Sequence, residues 1–72
     1  MDRATLEQQL AEAEEHVLLG MEHIIVQRRI IFELARERRD ASSARELLKQ
    51  FEQIQATLIA TRDRLRRELD IE

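Results

Sequence analysis

The stretch Val17–Ala35, VLLGMEHIIVQRRIIFELA, decides how this chain folds. It is the most apolar part of a sequence in which 38% of the residues are charged. Two apolar stripes run along it at helical spacing. The first continues in both directions as Leu6, Leu10, Ala13, Val17, Gly20, Ile24, Gln27, Ile31 and Leu34. Its steps alternate between three and four, the seam of a helix that packs along another helix. The second stripe is Leu18, Met21, Ile25, Phe32 and Ala35, interrupted by Arg28 and Arg29. A single packing face needs an apolar arc of only about 100°. Two stripes exceed that arc, so one companion helix is not expected to cover both.

Working outward, the rest of the chain supplies that companion. Past Ala35 come three cationic residues, Arg36, Arg38 and Arg39, which suit the negative end of a helix dipole. Asp40, Ser42 and Ser43 are N-cap residue types, and Ser43 with Glu46 has the spacing of a capping box. A short turn of this kind makes consecutive helices antiparallel neighbours. The predicted elements are a helix over about 3–39, a turn over about 40–43 and a helix over about 43–70. Asp2 or Thr5 is expected to cap the first helix. The second helix carries a seam at Ala44, Leu47, Phe51, Ile54, Leu58, Thr61 and Leu65. Folding at Asp40 sets Leu34 near Leu47, Ile31 near Phe51, Ile24 near Leu58 and Val17 near Leu65. Phe51 would then meet Ile31 and Gln27. The acidic start (Glu7, Glu12, Glu14, Glu15) would lie against the Arg-rich end (Arg62, Arg64, Arg66, Arg67).

Composition agrees with this all-α reading. The chain has 72 residues, no Pro, one Gly and no Cys. That is one small domain without turn punctuation in its interior, disulfides or thiolate metal ligands. Few β-branched residues alternate with polar ones, which argues against strands. The lone glycine, Gly20, falls on the packed seam, where the missing side chain lets the neighbouring helix approach. No apolar run reaches the ~20 residues that span a bilayer, and the acidic N-terminal segment lacks a signal-peptide layout. A cytoplasmic protein is expected. Two helices alone make a thin core, and domains this small commonly need staples or oligomerisation. The expected solution is a homodimer, two antiparallel hairpins forming a four-helix bundle, with Leu18, Met21, Ile25, Phe32 and Ala35 at the interface.

Chemistry finds few candidates. His16 and His23 stand seven residues apart, on one helix face, with Glu12 one turn earlier. A metal- or ligand-binding bundle built on these three is an alternative reading. Zinc helices space their histidines by four, however, and di-iron bundles use Glu-x-x-His. Neither spacing occurs here, so no metal or cofactor is expected. Ser42 and Ser43 lie far from either histidine and read as caps rather than nucleophiles. No glycine-rich phosphate loop exists, and an enzyme is not expected. The pairs Arg28-Arg29, Arg38-Arg39 and Arg66-Arg67 are interleaved with acids, in a chain of net charge −3 without Tyr or Trp. They read as solvated faces rather than as a nucleic-acid site, the third alternative.

The segment Glu14-Glu15-His16-Val17, Gly20, His23-Ile24, Gln27-Arg28, followed by Ala44, Leu47-Leu48, Phe51 and Arg62 to Leu65, resembles a group of small uncharacterised helical-hairpin proteins of rhizobia-like alphaproteobacteria. The resemblance runs from about Leu6 to Leu69 and implies a short two-helix protein without assigned activity. The chain departs from that pattern at its turn, where the group tends to carry Gly and Thr. It departs again near Leu58 and Thr61, where the group tends to carry His and Asp. A looser likeness, of architecture alone, is to the helical-hairpin co-chaperones of type III secretion.

Overall fold

The computed structural model describes residues 2–71. Two helices, α1 (Arg3–Arg36) and α2 (Ser42–Ile71), run antiparallel and pack along their whole length. The result is a rod of 54 × 14 × 13 Å. Its long dimension is close to the ~1.5 Å rise per residue expected of a straight helix the length of α1. Among the described residues there is no strand, and neither helix is long and apolar enough to cross a membrane.

The start of α1, its end and the start of α2 each have an identifiable stop. Asp2 caps α1: its Oδ1 accepts from the Thr5 N–H at 2.7 Å. Thr5 is thus the donor, and Asp2 is the cap. That bond holds the Asp2 carboxylate below its ordinary pKa. α1 ends at Arg36, three residues short of the expected boundary. The cause is Arg38, whose φ of 59° is left-handed. Its N–H donates to the Ala35 carbonyl at 3.1 Å, and the Arg39 N–H donates to the Leu34 carbonyl at 2.8 Å. This pair of bonds is a Schellman closure, usually built on glycine. With a side chain present, the left-handed residue costs roughly 1–2 kcal/mol. Arg carries no sequence signature for this role, so the stop was not foreseeable.

α2 begins at Ser42, and Asp40 supplies its cap. Asp40 Oδ1 accepts from the Ser42 N–H at 2.9 Å and from the Ser42 hydroxyl at 2.6 Å. The hydroxyl bond first, then the amide bond, lowers the Asp40 pKa. The Ser43–Glu46 capping box expected from the sequence is therefore not the start of α2, which is already under way one residue earlier. Ala41 lies buried between cap and helix.

The α1 seam is where the spacing placed it. Every one of its nine positions is buried or half-buried. The α2 seam differs in phase. Ala44, Phe51, Leu58 and Leu65 face α1, but Leu48 and Gln55 take the places expected for Leu47 and Ile54. Ile54 is 56% exposed, whereas Gln55 is 7% exposed. Alternating steps of three and four allow either choice, and the polar residue won for the reason given below.

The register also differs, by one heptad. Gln55 reaches Val17, His23 stacks on Phe51, and Gln27 reaches Ala44. Leu65 clusters with Leu6 and Ala13, not with Val17. Phe51 therefore meets His23 rather than Ile31. The early stop of α1 accounts for this. Moving the fold point by some residues shifts the helix pairing by twice as many, and a whole-heptad slip keeps both seams facing each other. The expected charge pairing of the chain's two ends does occur, with Arg66 3.0 Å from Glu14.

Candidate interaction surface

The middle of the seam is polar where a two-helix core would be expected to be apolar. Gln55 lies against Gly20. A Cβ on Gly20 would collide with Gln55 Oε1, and would stand 2.8 Å from its Cδ. Gly20 thus makes room for a side-chain amide, rather than for the neighbouring backbone as its spacing suggested. Gln55 Nε2 donates to the Val17 carbonyl at 2.8 Å. Farther along, Gln27 Nε2 donates to the Ala44 carbonyl at 2.9 Å. Each helix therefore sends one amide across the seam to the backbone of the other.

These clamps are not equally satisfied. Gln55 Oε1 is buried without a hydrogen-bond partner. It faces the Gly20 α-carbon, whose C–H is at best a weak donor. An unpaired buried acceptor costs roughly 1–3 kcal/mol, while the bond made by Nε2 returns about 1 kcal/mol. A Gln55→Met chain keeps the shape and removes both groups. It is expected to unfold at higher urea, by about 1 kcal/mol. A lower midpoint would show that the Val17 bond outweighs the orphaned oxygen.

The two flanks of the rod are apolar. Leu18, Met21, Ile25 and Phe32 are exposed on one, and this outer flank carries all the stripe residues read from the sequence, with exposed Ala35. Phe32 is 66% exposed. Ion pairs edge the flank on its α2 side: Glu14 with Arg66 at 3.0 Å, and Arg28 with Glu52 at 3.6 Å. A shallow depression there is lined by Val17, Leu18, Met21 and Arg62. Solvated pairs of this kind orient the helices but add less than about 1 kcal/mol each.

The opposite flank is not visible as a stripe in the sequence of either helix. Leu19, Val26 and Ile30 of α1 are exposed there, as are Leu47 and Ile54 of α2. Between them lies an apolar groove of about 280 Å³, lined by His16, Leu19, His23, Phe51, Ile54 and Leu58. The His23 and Phe51 rings are 5.9 Å apart and tilted by 37°. The seven-residue repeat of Leu19 and Val26 was the available signal. It is masked because the same alternating spacing also fits Leu47 and Ile54 to the α2 seam.

His16 and His23 both border this groove, and Glu12 and His16 line a neighbouring depression. Among the described residues no group of three or more His, Asp or Glu is placed to hold a metal ion. His23 spends its ring on Phe51. The arginine pairs are split: Arg28, Arg39 and Arg66 each lie beside an acid. Four of the residues that carry the resemblance noted above, Val17, Gly20, Ile24 and Gln27, belong to the α1 seam. Compared with known protein families, curated proteins and solved structures, the chain matches none.

Proposed function

We propose that this chain is a non-enzymatic interaction module, a helical hairpin that assembles with a second hairpin into a four-helix bundle. The observation that carries the reading is the exposure of nine large apolar side chains on the two flanks of the rod. Scattered exposed leucines need no explanation, but contiguous apolar flanks on a small charged protein mark contact surfaces. The amount of surface supports it. The hairpin exposes 5656 Å². A compact monomer of its 8.6 kDa mass exposes roughly 4,700 Å². The difference, roughly 1,000 Å², compares with the ~800 Å² that each partner buries in a standard interface.

Recognition is helix against helix. The outer flank of α1 offers aliphatic and aromatic side chains at i, i+3 and i+7 spacing, the pattern by which an amphipathic helix docks on an apolar surface. Sedimentation equilibrium between about 1 and 100 μM is expected to give twice the chain mass at the upper end. Assembly and folding are linked, so the melting temperature is expected to rise with concentration. A folded monomer throughout that range, with a melting temperature independent of concentration, would overturn the proposal.

A further inference from the structure

The outer flank of α1 is bordered on its solvent side by a polar column at heptad spacing: Glu15, Glu22, Arg29 and Arg36. The column holds two acids followed by two bases. Among the described residues, none of the four takes part in an ion pair. Members seven apart on one helix are about 10 Å from each other along the axis, too far to pair within the chain. The apolar stripe beside the column, Leu18, Met21, Ile25, Phe32 and Ala35, also repeats in steps of three and four, with Arg28 at the interrupted position.

We propose that two copies of this chain associate through α1, antiparallel, with Met21 layered on Phe32 and Leu18 on Ala35 of the second copy. In that register Glu22 faces Arg29 and Glu15 faces Arg36 of the second copy, and two-fold symmetry makes each pair twice. The proposal rests on the interaction reading above and names the occupant of one flank. Self-complementarity is the reason to choose a second copy. A column of two acids and two bases satisfies itself only when reversed, since a parallel pairing sets Glu22 on Glu22 and Arg29 on Arg29. Interfaces use such patterns to fix partner and orientation. The opposite flank fails the same requirement. Its α1 stripe is Glu12, Leu19, Val26 and Glu33, so reversal there opposes two acids. The excess surface described above is of the size that one such contact would cover.

Arg28 falls within the layers, opposite Ile25 of the second copy. It is 63% exposed on its side chain and already leans toward Glu52 at 3.6 Å. A long stem lets its charge stay in water while its methylenes pack.

The test uses exposed positions, so folding is preserved. Met21→Cys and Phe32→Cys chains are mixed under oxidising conditions. The mixed disulfide dimer is expected to dominate, because like positions of two antiparallel copies stand 11 residues, or about 16 Å, apart. Glu22→Arg is expected to weaken association by roughly tenfold, and adding Arg29→Glu to restore it. A dimer in sedimentation that gives neither the mixed disulfide nor the charge rescue overturns this register and leaves the interaction reading standing. A chain that is monomeric at 100 μM overturns both.

Discussion

A Phe32→Glu chain is expected to fold as a hairpin and fail to dimerise. Phe32 is the most exposed large apolar side chain of the rod apart from Ile71 at its end. Within one hairpin it therefore contributes little, and a surface substitution of this kind stays within about 0.5 kcal/mol. Between hairpins the effect is doubled by symmetry. Burying a Phe contributes roughly 1.5–3 kcal/mol, and each dimer would lose two of them and gain two unpaired carboxylates. Association should fall by at least about 100-fold. Sedimentation and concentration-dependent melting read this out together. An undiminished dimer would show that the outer flank is not the contact.

The second large effect concerns the hairpin's own core. Leu65→Ala is expected to unfold the chain at room temperature. Leu65 is 2% exposed and packs with Leu6 and Ala13, with Leu10 and Leu69 against them. Large-to-small changes at such sites cost roughly 2–5 kcal/mol. A domain of this size gains only about 3–5 kcal/mol from a single core. Leu47→Ala makes the control, because Leu47 is 40% exposed and outside the seam. Far-ultraviolet circular dichroism should find the first chain largely disordered and the second helical. Equal losses would mean that α2 is rotated about its axis relative to the phase described here.

The two-helix architecture was legible because the α1 seam is long, regular and flanked by cap residues. Nine positions in alternating steps mark one unbroken seam along α1, and all nine are buried or half-buried. The α2 phase was not legible, because hydrophobicity points the wrong way there. Ile54 outranks Gln55 as a core residue, yet Gln55 fits the notch above Gly20 and finds the Val17 carbonyl. The register was hidden by the repeat itself. Seams of period seven match equally well after a slip of seven, so apolar patterning is blind to it. What breaks the tie is specific. In the slipped register Gln55 would confront Gln27 instead of Gly20, and both amides would lose their carbonyls. Buried polar groups setting register at a cost in stability are well attested in coiled coils.

For the surface, the sequence disclosed one flank and concealed the other. The outer stripe lies on a single helix, so its spacing could be counted. The grooved flank is assembled from Leu19, Val26 and Ile30 on one helix and Leu47 and Ile54 on the other. No count along one segment finds it until the phase of α2 is known.

The antiparallel course of α1 and α2 brings residues 2 and 71 to the same pole of a 54 Å rod, with the turn at the other. Anything tethered to either terminus must leave from that pole. Reversed pairing about α1 would put the two tethering poles of a dimer at opposite ends, roughly 70 Å apart by helix rise. Such an object would be a strut: bodies attached to its two poles would be held at a set distance, facing away from each other, with the grooved flanks open along its sides.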